Sequence, residues 1–206
     1  MRAILEAERP ADGIIGEEYG TVREGAARQW VLDPIDGTRS FIAGRAIFGT
    51  LIALVEDGVP VLGIIDQPIS GERWLGARGQ RTLLGGSPAG VRPCAAMASA
   101  LLATTSPYLF ADHERAGFER LQDACASTVL GGDCYNYALL AAGQIDLVIE
   151  SGLKLYDFAA LVPVVEGAGG RMTDWTGAPL TAASDGRVIA VGDASLIGPV
   201  LELLTR

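Results

Sequence analysis

The chain has 206 residues, 49% of them hydrophobic, and a formal net charge of −9. That length supports a self-standing core in one domain or two closely joined lobes. No apolar run approaches the roughly 18 residues a membrane span needs, and the acidic balance denies nucleic acid a basic surface. A single histidine, with Cys94, Cys125 and Cys134 lacking C-x-x-C spacing, argues against a zinc centre and for reduced thiols. Residues 1–13 are polar and broken by Pro10, which is not the pattern of a signal peptide. The expectation is a cytoplasmic protein with no nucleic-acid or membrane partner.

In chain order, Ile14-Ile15 is a candidate short strand, and Trp30-Val31-Leu32 reads as a buried one. Three strands are expected at 47–56, 59–67 and 72–77, joined by Asp57-Gly58 and by Pro68-Ile69-Ser70-Gly71, both turn signals. A loop is expected over 85–93 and a strand at 101–105. Beyond it the pattern alternates: helix 112–126, strand 129–130, helix 135–142, strand 145–149, helix 156–166, strand 187–191 and helix 196–204. Strands first and β/α alternation later predict an α+β half leading into an α/β half, with layered sheets and helices. The expected organisation is one domain over 1–206, its antiparallel-sheet half about 1–110 and its α/β half about 111–206.

Three acidic stretches stand out. Asp33-Pro34-Ile35-Asp36-Gly37-Thr38 places two carboxylates around a turn that Pro34 and Gly37 stiffen and permit, with the Ile35 carbonyl between them. Alone, such a stretch is as well read as a surface Asx-turn. In 156–167, Phe158, Leu161, Val162 and Val165 follow the spacing of a buried helical face. Asp157 stands at or near its N-cap, where a plain capping role competes with ligation. Pro163 is expected to kink or break this helix. Gly16-Glu17-Glu18-Tyr19-Gly20 is unremarkable alone, yet Glu17 lies beside Asp33 if Ile14-Ile15 pairs with the Trp30 strand. Together Glu17, Asp33, the Ile35 carbonyl, Asp36 and Asp157 form an oxygen-only ligand set suited to Mg²⁺ and two-metal phosphoryl chemistry. Gly37-Thr38 at a helix start adds N–H groups for an anion. No P-loop or G-x-S-x-G is present.

Gly16-Glu17-Glu18, then Trp30 to Thr38, then Tyr156-Asp157-Phe158-Ala159-Ala160 with Gly167-Ala168-Gly169-Gly170, resemble the inositol monophosphatase family in order and placement from Ile14 onward. The resemblance implies a layered α-β-α-β-α sandwich, assembled as a homodimer, that hydrolyses a small phosphorylated metabolite with two or three Mg²⁺ ions, Mn²⁺ substituting. It implies Glu17, Asp33, the Ile35 carbonyl, Asp36 and Asp157 as metal ligands. Glu17 and Thr38 would hold the attacking water, and the Gly37 and Thr38 amides would receive the phosphate. The segments 36–42, 48–54, 132–135 and 147–154 are most similar to the histidinol-phosphate phosphatase branch, which cleaves histidinol phosphate in histidine biosynthesis. On that reading Asp36, Asp133 and Glu150 face the substrate, the acids suiting its amine and imidazole. Asp133 reads equally well as a helix N-cap.

Other readings stay open. The same metal chemistry would serve inositol phosphate, a sugar phosphate or a nucleotide 3′-phosphate. His113 is expected to be solvated, and Tyr135 and Tyr137 to pack in the core or line the pocket. Arg39 and Lys154 either touch substrate or face solvent. The family's N-terminal helix pair and an acid after it lie upstream of anything here: residues 2–8 match only the end of the second helix. A truncated, catalytically silent metal- and phosphate-binding protein is therefore an alternative, and apolar surface is expected on one sheet. Leu155 stands where the histidinol-phosphate branch has proline.

Overall fold

In the computed structural model, which describes residues 1–205, α1 (Arg2–Glu8) carries no buried residue and leads into β1 (Gly13–Gly16) and β2 (Gly20–Val22). β3 (Arg28–Asp36) returns parallel to β1, and the short helix α2 (Thr38–Ile42) follows. Next come β4 (Gly49–Glu56), β5 (Val59–Gln67) and β6 (Glu72–Ala77), the meander expected from sequence. Asp57 (φ 48°) and Gly58 (φ 79°) both take positive φ, as a two-residue hairpin of right-handed twist requires. β4 starts two residues later than expected because the Ile47 N–H is held in a turn by the Arg45 carbonyl at 2.9 Å. Two short strands, β7 (Leu83–Leu84) and β8 (Ser87–Pro88), then form a hairpin in part of the expected loop. The first sheet runs β2-β1-β3-β4-β5-β6-β7-β8.

The second half begins with β9 (Leu101–Thr104), followed by α3 (Asp112–Ala124), β10 (Ser127–Leu130), α4 (Cys134–Ala141) and β11 (Leu147–Glu150). Then come α5 (Leu155–Phe158), α6 (Leu161–Gly167), β12 (Arg171–Thr173), β13 (Val188–Val191) and α7 (Ile197–Thr205). This sheet has the order β10-β9-β11-β13-β12, with β9 parallel to both β10 and β11. The chain therefore passes from one sheet to the other between Pro88 and Leu101, upstream of the boundary expected near 110.

The helix expected over 156–166 is two helices. The break falls at Ala159-Ala160, and Pro163 becomes the third residue of α6. In a first turn a proline forfeits no intrahelical hydrogen bond, so it starts a helix instead of bending one.

Apolar packing sets the layers. Phe118 and Leu121 of α3 and Val200 of α7 pack with Leu102, Leu147, Ile149 and Ile189 on one face of the second sheet. On its other face Ala103, Val148 and Ala190 join Tyr137 and Leu140 of α4 and Val164 and Val165 of α6. Val31, Leu51, Ile65 and Trp74 of the first sheet complete that cluster. Each buried Val, Leu, Ile or Phe side chain among them contributes about 1.5–3 kcal/mol. The middle helices thus lie between the sheets, the layering expected from sequence. The contact is close because β5 and β6 present glycines to the helix. A Cβ on Gly63 would fall 1.9 Å from the Ala160 carbonyl oxygen, and one on Gly76 2.3 Å from that of Pro163.

The outer face of the first sheet is less covered. Trp30, Leu54 and Leu62 form one cross-strand row, and Ile52, Ile64 and Leu75 another. All six are only partly buried, Leu75 being 39% exposed. No helix among the described residues is long and apolar enough to cross a membrane.

Candidate active site

Residues three apart on a regular strand point to opposite faces. Asp33 and Asp36 escape that rule. Asp33 pairs with Leu51 and Asp36 with Gly49, so Pro34 and Ile35 together oppose Thr50 alone. This bulge adds one residue and turns both acids to the inner face. The bulge is pinned: Thr50 Oγ1 donates to the Pro34 carbonyl at 2.8 Å, and Thr38 Oγ1 to the Ile35 carbonyl at 3.1 Å. Asp33 Oδ1 accepts from the Ile35 N–H at 2.9 Å, and the residue is 1% exposed.

Asp157 reaches the same place from α5. It sits at the third helical position, where its Oδ2 accepts from the Lys154 N–H at 2.6 Å and so closes the helix start. Ligand oxygens of Asp33, Asp36 and Asp157 all lie within 4.8 Å of one another. Glu17 follows β1, its N–H donating to the Leu32 carbonyl at 3.2 Å, and its charge acts on Asp33. The pairing of Ile14-Ile15 with the Trp30 strand puts it there.

This crowding of acids is electrostatically incomplete. Burial, then the charges of Asp36 and Glu17, push Asp33 up to about 8. Burial raises Asp36 to about 7 against the opposing hydrogen bond from the Cys134 N–H. Burial likewise raises Asp157 to about 6, with the Lys154 N–H opposing and Glu17 adding to the rise. None of the three forms an ion pair among the described residues. Hard oxygen donors converging without a counter-charge fit a divalent cation.

A cavity of about 150 Å³ opens beside the cluster, lined by Asp36, Asp133, Tyr137, Glu150, Leu153 and Asp157 among others. Asp133 opens α4, yet its side chain caps nothing: Ser40 Oγ donates to its Oδ2 at 2.7 Å. It follows Gly131 (φ 88°) and Gly132 (φ 124°) and itself has φ 46°, a costly conformation for a residue with a side chain. Gly37 (φ 80°) makes room for it, since a Cβ there would lie 2.7 Å from Asp133 Oδ2. Glu150, 3% exposed, accepts from the Thr105 N–H at 2.9 Å, from the Thr105 hydroxyl and from the Tyr137 hydroxyl at 3.1 Å. Burial holds its carboxyl up near 7. A carboxylate accepts about four hydrogen bonds, so one site remains.

The structure therefore brings together Glu17, Asp33, Asp36, Asp157 and the bulge carrying the Ile35 carbonyl, Gly37 and Thr38, with Asp133 and Glu150 across the cavity. His113, Arg39 and Lys154 are exposed, although the Lys154 charge acts on Asp157. Tyr137 is buried in the core and touches the site, whereas Tyr135 packs edge-on against Trp74 and donates to Glu72. Sequence reasoning missed Ser40, Thr105 and Cys134, whose N–H donates to Asp36 Oδ2 at 2.7 Å. Only Cys134 carried a local signal, as a helix-start N–H next to Asp133.

Comparison with known proteins finds relatives of the whole chain. The inositol monophosphatase family model matches residues 1–203. The bifunctional phosphatase IMPL2, chloroplastic, of Arabidopsis thaliana is 49% identical over 99% of this chain, which spans 62% of that protein's length. A histidinol-phosphatase of Chlorobaculum parvum is 35% identical over 92% of this chain and 74% of its own. Among solved structures, an inositol monophosphatase from Zymomonas mobilis is 59% identical. It superposes with a TM-score of 0.95 over 100% of this chain and 79% of that one.

Proposed function

This chain belongs to the inositol monophosphatase family, and on that premise we propose that it is a Mg²⁺-dependent phosphomonoesterase cleaving histidinol phosphate to histidinol and inorganic phosphate. The observation that carries the reading is the convergence of Asp33, Asp36 and Asp157 within 4.8 Å, beside Glu17. Those residues and the Ile35 carbonyl would hold two or three divalent ions, Mg²⁺ or in its place Mn²⁺, which supply Lewis acidity and a nucleophile at neutral pH.

The chain's own groups do the rest. Glu17 and Thr38 Oγ1 hold a water molecule, and Glu17 takes its proton as the water oxygen bonds to phosphorus. The ester P–O bond breaks, and the departing alcohol oxygen takes a proton from solvent. The Gly37 and Thr38 N–H groups orient the phosphate oxygens. Asp133, with Asp36 and the remaining acceptor site of Glu150, gives the cavity an acidic wall that favours an amine and an imidazolium. The similarity to the histidinol-phosphatase of Chlorobaculum parvum supports this choice. A homodimer belongs to the same reading: Phe41 and Ile42 of α2 and Val129 and Leu130 of β10 are exposed apolar side chains.

A second reading, an inositol-phosphate phosphatase, is favoured by the 59% identity to the Zymomonas mobilis structure. Phosphate release from a panel of esters, with and without Mg²⁺, decides between them. Preference for histidinol phosphate supports the first and preference for inositol phosphate the second. Metal binding without turnover of any ester leaves a metal- and phosphate-binding protein.

A further inference from the structure

One hydroxyl of α2 sets where the acidic wall of the cavity stands. Ser40, the third residue of α2, is 7% exposed and donates from Oγ to Asp133 Oδ2 at 2.7 Å. A helical serine commonly turns its hydroxyl back onto its own helix. Here it reaches another element instead. It is the one hydrogen-bond donor to the Asp133 carboxylate among the described residues, and that carboxylate does not cap α4. The loop before Asp133 is held from its other side. Asn136 Nδ2 donates to the Gly131 carbonyl at 3.0 Å, and a Cβ on Gly132 would strike the Asn136 side chain. Asp133 keeps φ 46° within this frame, a strained backbone retained for what its side chain does.

Asp133 leans on the residue that opens the phosphate end. A Cβ on Gly37 would lie 2.7 Å from Asp133 Oδ2, and Gly37 and Thr38 supply the N–H groups assigned above to the phosphate. A cation paired with Asp133 therefore stands next to the phosphate. In histidinol phosphate that cation is the amine, carried on the carbon beside the ester carbon, whereas the imidazole lies further out. We propose that Ser40 is a positioning residue for substrate selection: it ties Asp133 to the helix whose start receives the phosphate, so that the site takes phosphate esters with an amine on the carbon beside the ester carbon. This rests on the histidinol-phosphate reading and deepens it. Without the tie Asp133 keeps its charge but moves among rotamers, and binding an amine then costs the ordering of that side chain.

The test compares histidinol phosphate with its deaminated analogue, an imidazolylpropyl phosphate that lacks the amine alone. KM comes from phosphate release with Mg²⁺, and dissociation constants from calorimetry on the metal-free full chain, with circular dichroism verifying the fold of each variant. The parent is expected to favour the ester that carries the amine. In Ser40→Ala that preference is expected to fall about fivefold, through KM and not kcat. Ser40→Thr, which restores the hydroxyl, should stay within about twofold of the parent. Added to Asp133→Asn, Ser40→Ala should change the preference by less than about twofold, since both act through one contact. An unchanged preference in Ser40→Ala overturns the proposal, as do equal losses in the alanine and threonine variants or a loss additive with Asp133→Asn. A fall in kcat with the preference intact assigns Ser40 to the support of the acidic cluster and overturns it too. A parent blind to the amine overturns the substrate reading itself, a result distinct from variants that match a discriminating parent.

Discussion

Asp33 and Asp36 face the same side of one strand because β3 carries one residue more between them than β4 carries between their ladder partners, Leu51 and Gly49. Burial raises both above the usual carboxylate range, with the charges of Asp36 and Glu17 adding to the rise at Asp33 and those of Asp157 and Asp133 adding to it at Asp36. Removing one charge therefore has opposite effects on binding and on stability. Asp36→Asn is expected to weaken Mn²⁺ binding and to lower phosphate release by more than about 100-fold. The metal-free variant should melt higher than the metal-free parent, by roughly 3 °C, as one buried charge is relieved. Calorimetry with a chelator present checks the second half.

The same acids set a pH dependence. Their folded values, about 8 for Asp33, 7 for Asp36, 6 for Asp157 and 7 for Glu150, lie above the unfolded ones. Between the unfolded values near 4 and the folded values, the native state holds more protons than the unfolded chain, so stability falls as pH rises. Metal-free protein should thus melt lower at pH 8 than at pH 5, by roughly 5 °C. Mg²⁺ at saturation should narrow or reverse that gap, because it replaces the protons. Thermal scans at both pH values, with and without the ion, test this. A flat metal-free profile would contradict it.

Gly63 has no space for a side chain, its Cβ position lying 1.9 Å from a backbone oxygen of the middle layer. Gly63→Ala must push α6 off the first sheet and is expected to cost about 3 kcal/mol or more. Gly71→Ala meets open space and strains only a turn at φ 72°, with an expected cost of about 1 kcal/mol. Urea denaturation of both variants compares them directly.

Asp133 offers its carboxylate to the cavity while Ser40 holds one oxygen. Asp133→Asn keeps the shape and tolerates the positive φ, but loses the charge. The expected result is a KM for histidinol phosphate about tenfold higher, with inositol phosphate changed less than about twofold. Steady-state kinetics on the two esters measures it, and equal effects on both would remove Asp133 from amine recognition.

What the sequence made legible follows from how local each signal is. Val59–Gln67 and Glu72–Ala77 sit between strong turn residues, so their ends were readable. The acids of β3 and the start of α5 announced themselves by type and by their proline, glycine and helix-start neighbours. The bulge at Pro34-Ile35 did not, because it is defined by what Thr50 opposes. β2 and β12 have three residues each, too few for a period to emerge. Ala159-Ala160 ended one helix with the residue that favours helix most, while Pro163 drew attention to a place where nothing breaks. The partners Ser40–Asp133, Thr105–Glu150 and Asp36–Cys134 span 93, 45 and 98 residues. No window on the chain joins such pairs.

The acids have mixed parentage: Asp33 and Asp36 ride on the first sheet, and Asp157 on a helix wedged between the two sheets. A cation seated among them would act as a dowel through the laminate, sensing any slippage of one ply against the other. Ion affinity and ply alignment are then a single mechanical property, and a mutation anywhere along the glue line at Gly63 or Gly76 registers at the dowel.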